Sequence, residues 1–142
     1  MFSKITDKSA WYGPEEEKKT DWIYKLDKED INEIENLTVK FLSSNKTLTK
    51  LNKNDFYFEN LGEKYLRKID DELKNGRGFV LIRGMPVNEW SREKIITAYM
   101  GLCSYFGNFR VQNKKGHLLG HVKDLGKDTT KDFTARVYET TY

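Results

Sequence analysis

NGRGFVLIRGMPVNEWSREKIITAYMGLCSYFGNFRVQN, residues 75–113, decides the fold. Gly76 and Gly78 flank Arg77 where a preceding helix must stop, because glycine enters left-handed backbone conformations at little steric cost. Phe79-Val80-Leu81-Ile82 is a short continuous apolar run, which predicts a strand over 79–83 covered on both faces. Gly84-Met85-Pro86 ends it, since proline has no N–H to give a ladder. Ser91 offers a capping oxygen to a new helix over 91–106. Ile95, Ile96, Tyr99, Leu102, Cys103 and Phe106 recur at helical spacing as its apolar stripe, and Gly107 stops it. Strand, helix and the extended Phe109–Gln112 form a core around which the rest is placed.

Upstream, Leu61, Tyr65, Leu66, Ile69 and Leu73 predict a helix over 61–75. Phe56-Tyr57-Phe58 reads as core, because a base-stacking platform also needs flanking cations. Asp27 caps a further helix whose stripe is Ile31, Ile34, Leu37, Thr38, Phe41 and Leu42, ending at Ser43-Ser44-Asn45. Trp22–Leu26 is extended, and residues 1–20 form an arm pinned by Trp11 and Tyr12. Downstream, Asn113–Gly116 is a turn and His117–Val122 is extended. A polar loop then leads to a strand over Ala135–Thr140. The fold class is mixed α+β, organised as the arm 1–20 and one domain over 21–142.

Aromatic residues make up 13% of the chain, which argues against disorder. The formal net charge of +3 comes from interspersed signs, and the densest basic cluster is Lys114-Lys115, so a nucleic-acid partner is disfavoured. Cys103 is the sole cysteine, which excludes an internal disulfide; its place on the helix stripe predicts a buried, slowly reacting thiol. No apolar run reaches the length of a membrane span and the N-terminus lacks a signal-peptide core, so the expectation is a cytoplasmic protein without a membrane partner.

The candidate chemistry is sparse. His117 and His121 stand four apart, a zinc-chelating spacing on a helix, where they would lie about 6 Å apart. Gly116 and Gly120 oppose a helix there, and in a strand the two would lie about 13 Å apart, too far to share a metal. Asp70-Asp71-Glu72 reads as a solvated helix face. Gly76-Arg77-Gly78 lacks the Gly-Lys-Ser/Thr ending and the strand-first order of a phosphate loop. No catalytic and no metal-ligating residues are assigned.

Taken in order, Trp11-Tyr12-Gly13-Pro14-Glu15, Trp22-Ile23 with Leu26, the Glu29–Leu37 helix, GRGFVLIRGMPV (76–87), WSREKIITAYMGLCSYFG (90–107), QNKKGHLLGHVKDLG (112–126) and RVYET (136–140) resemble the N-terminal half of a TauD/TfdA-like Fe(II)/2-oxoglutarate-dependent dioxygenase. The resemblance covers roughly residues 11–142. It implies the N-terminal part of a double-stranded β-helix, or jelly roll, with flanking helices. In a complete member it implies a two-His-one-carboxylate iron site, 2-oxoglutarate as co-substrate and hydroxylation of a small organic substrate.

The family's His-x-Asp pair follows the segment matching RVYET, and its second histidine and 2-oxoglutarate-binding arginine come later still. All lie beyond Tyr142, so the resemblance implies no iron, no 2-oxoglutarate and no activity for this chain alone. The expectation is a fragment from a truncated reading frame, an excised piece or a split gene, self-associating through exposed sheet edges. Because the family's segment after the second helix lies near the substrate pocket, Gln112, Asn113 and His117 become candidate substrate contacts. The competing reading of the three is a turn whose backbone they satisfy. The competing reading of the chain is a non-catalytic interaction module or degenerate enzyme.

Overall fold

Asp27 and Asp30 open the helical part of the fold by capping each other's main chain. In the computed structural model, which describes residues 3–120, 122–128, 130–131 and 138–140, Asp27 accepts the N–H groups of Glu29 at 2.9 Å and Asp30 at 3.0 Å. Asp30 in turn accepts the Asp27 N–H at 2.9 Å, a reciprocal capping box. Helix α2 follows over Lys28–Leu42, after a single helical turn α1 at Gly13–Glu16 in the arm. Ile34, Thr38 and Phe41 are buried as the stripe predicts, while Ile31, Leu37 and Leu42 are half-buried.

Lys64 donates to both Asp27 and the buried Asp30. Together with the capping N–H bonds, Lys64 holds the Asp27 carboxyl down, from 3.8 to about 2. A carboxyl depressed on folding stabilises the protein above its unfolded value and loses that contribution as pH falls through the folded one. Melting temperature is therefore expected to fall as pH drops from the ordinary carboxylate range toward about 2. Asp27→Asn should flatten that part of the profile, with a pH series of thermal melts as the measurement.

A second long helix is continuous from Asn60, passing through a wide π-type turn at Gly62–Leu66 into α3 at Arg67–Asn75. Leu61, Leu66 and Ile69 are buried, as their spacing predicts, whereas Tyr65 of the same stripe is half-buried and Leu73 is 36% exposed. Its N-terminus is capped from α2: Glu33 accepts the N–H groups of Glu59, Asn60 and Leu61 at 2.6, 3.0 and 2.8 Å.

Ser91 caps α4, Arg92–Phe106, by accepting the Lys94 N–H at 3.3 Å. The helix stands where the sequence places it, but its buried face does not. Thr97, Ala98, Gly101 and Ser104 are buried together with Met100 and Leu102. Of the predicted stripe, Tyr99 is 54% exposed and Ile95, Ile96, Cys103 and Phe106 are only half-buried. Small residues win the inner face because α4 lies against α2 and the Phe56 ring lies flat on Gly101, where an added Cβ would stand 2.2 Å from the ring. Phe56 and Phe58 are buried, but Tyr57 is 76% exposed, so the aromatic run is core at two of its three positions. Gly107 ends the helix in extended rather than left-handed backbone.

Strand β1, Ile23–Lys25, pairs in parallel with β2, Leu81–Arg83, in the register Ile23↔Leu81, Tyr24↔Ile82, Lys25↔Arg83. The predicted strand is thus shorter than 79–83. It is also not covered on both faces, since Leu81 is 40% exposed and only Ile82 is half-buried. Gly84 follows at φ 106°, where a Cβ would stand 3.1 Å from the Leu26 carbonyl oxygen. Gly84→Ala is expected to cost about 1–2 kcal/mol from the left-handed backbone alone, read as a lowered urea midpoint.

The arm is pinned through Trp11 rather than Tyr12. Trp11 Nε1–H donates to the Arg77 carbonyl at 3.0 Å and its ring meets Phe79 edge-on at 5.1 Å, while Tyr12 is 65% exposed.

Residues 1–107 and 108–142 form two separate units. In the second, β3 (Val122–Asp124) pairs antiparallel with β4 (Tyr138–Thr140). Phe109–Gln112 has no regular structure, and the segment expected to be extended from His117 bends at Leu118-Leu119 before β3 begins at Val122. The first three residues of the predicted strand, 135–137, lie outside the described residues. Helices with a small parallel sheet in one unit and a hairpin pair in the other make a mixed α+β chain.

Candidate functional site

Asn113 builds the loop that carries all three candidate site residues. Its Oδ1 accepts the N–H groups of Lys115 at 3.0 Å and His117 at 3.1 Å, and its carbonyl accepts the Gly116 N–H at 3.0 Å. Gly116 takes up the turn at φ 81°. The Gln112 N–H donates to the His117 carbonyl at 2.7 Å, which closes the loop at its base. Side-chain satisfaction of turn backbone, as asparagine commonly provides, occupies Asn113 Oδ1.

His117 is exposed, and its ring is oriented by the same asparagine. Because Asn113 Oδ1 is committed to two N–H donors, Nδ2 is the atom that faces His117 Nδ1, at 2.9 Å. The amide donates, so Nδ1 accepts and the neutral ring carries its proton on Nε2. That tautomer presents an N–H donor to solvent and turns the Nδ1 lone pair to Asn113. Gln112 is exposed, with Nε2 donating to the Arg110 carbonyl at 2.9 Å. The loop therefore turns polar side-chain groups of Gln112 and His117 to the surface. His121, the other half of the four-residue histidine spacing, lies outside the described residues.

The iron that the resemblance implies does not fit the described residues. Among them no group of three His, Cys, Asp or Glu side chains converges on a point that could hold a metal ion. Among them also no helix is long and apolar enough to cross a membrane.

The densest charge cluster surrounds Arg77, which the sequence marks only as part of a helix stop. Arg77 Nε donates to Glu72 at 2.7 Å, Nη1 to Asp21 at 2.9 Å and Glu16 at 3.3 Å, and Nη2 to Asp21 at 2.7 Å. The guanidinium lowers the carboxyl value of Asp21, the Arg77 main-chain N–H and then the guanidinium lower that of Glu72, and the arginine's own value is raised, first by Asp21. Every nitrogen is engaged, so Arg77 ties the arm to the end of α3 and does not present a free anion site. The acidic run Asp70-Asp71-Glu72, with an arginine between two glycines soon after it, is the local signal; the partners Glu16 and Asp21 are too distant in sequence to read.

Cys103 is half-buried, not buried as the stripe predicts. Desolvation pushes its thiol up, and the Tyr99 hydroxyl one turn earlier is hydrogen-bonded to it.

No protein-family model matches the chain. Among curated proteins it is similar to a taurine hydroxylase-like protein of Stachybotrys chartarum, 27% identical over 129 residues, which are 90% of this chain and 33% of that protein. It is also similar to the FR-33289 synthase of Streptomyces rubellomurinus, 25% identical over 138 residues, 96% of this chain and 40% of the synthase. The chain thus spans a third to two fifths of the length of the curated relatives it matches. These matches support the TauD-like relationship that the order of the motifs implies.

Proposed function

We propose that this chain is the N-terminal part of a cytoplasmic, jelly-roll oxidoreductase of the TauD/TfdA-like kind, one that hydroxylates a small organic substrate. The observation that carries the reading is similarity running through 90% and 96% of the chain to two proteins, one named as hydroxylase-like. In a complete enzyme of this kind O2 would be the oxidant, activated at Fe(II), with one oxygen atom going to the substrate and the other to succinate as 2-oxoglutarate loses CO2. Among the described residues no group of three His, Cys, Asp or Glu side chains could hold that iron. The chain's part is a helical layer and the Gln112–His117 loop, whose Gln112 amide, Asn113 amide and His117 Nε2–H are substrate-side hydrogen-bonding groups.

The test is a chimera in which this chain replaces the matching third of the taurine hydroxylase-like relative. The chimera is expected to convert 2-oxoglutarate to succinate, and the chain alone to convert none. In the chimera, Gln112→Ala combined with His117→Ala should weaken stimulation by substrate without abolishing uncoupled turnover. A folded chimera with no succinate formation would sink the proposal. That result would favour the alternative reading, a non-catalytic interaction module, for which the half-exposed Ile95, Tyr99, Cys103 and Phe106 face of α4 is the relevant observation.

A further inference from the structure

Asn75-Gly76 is the one asparagine–glycine pair in the sequence. Such a pair is chemically labile, because no Cβ crowds the main-chain nitrogen that can attack the asparagine side chain. Asn75 is exposed and is the last residue of α3. Packing requires the glycine behind it. A Cβ on Gly76 would stand 2.5 Å from Glu72 Cδ and 2.6 Å from both carboxylate oxygens. That carboxylate is held in place, since its Oε1 accepts the Arg77 N–H at 3.0 Å and Arg77 Nε at 2.7 Å.

In the closed structure the attack is held off. The Gly76 N–H is engaged by the Glu72 carbonyl at 3.1 Å, and Asn75 Nδ2 donates to Asp71 Oδ1 at 2.8 Å. Ring closure needs that N–H released and the helical backbone at Asn75 rotated, so it runs through a local opening of the last turn of α3. The bonds of Arg77 resist that opening. Its guanidinium holds Asp21 and Glu16, and its carbonyl accepts Trp11 Nε1–H at 3.0 Å.

We propose that Asn75 is a deamidation site gated by the Arg77 clasp, and that its modification loosens the clasp in turn. The Gly76 nitrogen gives up its proton and bonds to Asn75 Cγ, while the amide nitrogen takes up a proton and leaves as ammonia. Water then opens the cyclic imide. Attack at the side-chain carbonyl gives aspartate; attack at the main-chain carbonyl gives isoaspartate, with the chain running through the former side chain. Either product replaces a neutral donor by a carboxylate facing Asp71. Like charges four residues apart and negative charge at a helix C-terminus both destabilise the end of α3. Isoaspartate also adds a main-chain carbon just before Gly76, which displaces the Arg77 N–H from Glu72.

The test is ageing of the full chain at mildly alkaline pH, read by peptide mapping for a gain of about one dalton and by enzymatic methylation of isoaspartate. Asn75 is expected to change before every other asparagine, and Asn75→Gln to remove the signal. Asp21→Asn and, separately, Trp11→Phe each delete clasp bonds without touching the turn. Each should speed the change at Asn75 roughly threefold to tenfold, as for an opening eased by the loss of one hydrogen bond. In the isoaspartyl fraction of aged protein the Trp11 indole N–H should exchange faster than in fresh protein, and Asn75→Asp should show the charge-dependent part of that effect.

Earlier modification at another asparagine would overturn the site. The urea-unfolded chain sets the ceiling rate, and a folded chain that ages as fast would overturn the gating, as would equal rates in the folded chain and both clasp variants. Unchanged Trp11 exchange in the isoaspartyl fraction would overturn the loosening of the clasp.

Discussion

Gly101→Ala is expected to cost about 1–3 kcal/mol, as overpacking of a filled core does, even though alanine is the better helix former. The added methyl would sit 2.2 Å from Phe56 Cε1 and 2.3 Å from Cδ1, inside a ring that is 1% exposed and has no open side to move toward. The converse change, Phe56→Ala, removes the ring and is expected to cost about 3–5 kcal/mol. Combining Gly101→Ala with Phe56→Leu relieves the clash, so the double variant should be more stable than the sum of the singles. Urea melts of the four proteins give that coupling directly. Additive losses would mean that Phe56 does not rest on Gly101 and that the inner face of α4 is misplaced.

The second large effect comes from Glu33. Its carboxylate accepts three successive main-chain N–H groups at the start of the helix that leads into α3, and holds that helix against α2. Water can replace it at the exposed Glu59 and Asn60, but Leu61 is buried. Glu33→Ala is therefore expected to cost about 2 kcal/mol, within the range for hydrogen bonds to a charged acceptor. Glu33→Gln keeps one oxygen acceptor and should lose less. Amide exchange over residues 59–62 should quicken in Glu33→Ala ahead of the rest of the chain; uniform quickening would show that the cap has no local role.

Local chemistry made much of this legible. Asp27 with Asp30 and Ser91 each act within a few residues, so the helix starts could be read directly, and Phe56 and Phe58 could be read as core, though not the outward Tyr57 between them. The face of α4 could not. Ile95, Tyr99, Cys103 and Phe106 carry the larger apolar signal, yet Thr97, Ala98, Gly101 and Ser104 let α2 and Phe56 approach, and closeness of approach is a property of the pair of surfaces. Glu33 and Arg77 escaped for a related reason, since their partners lie 26–28 and 56–61 residues away. At the candidate site the Asn113 turn was readable from asparagine and glycine, whereas the Asn113–His117 bond that sets the imidazole tautomer depends on how the turn closes.

The proposed function makes this chain part of a TauD-like, 2-oxoglutarate-dependent hydroxylase whose iron ligands lie elsewhere in the complete enzyme. The most direct measurement is anaerobic titration with Fe(II) and 2-oxoglutarate, following the visible charge-transfer band of such complexes, on the chain and on the chimera side by side. The chain is expected to stay silent and the chimera to develop a stoichiometric band that survives His117→Ala. A band in the chain alone, lost in His117→Ala, would contradict the account, because it would make a ligand of the imidazole that Asn113 holds as a hydrogen-bond donor.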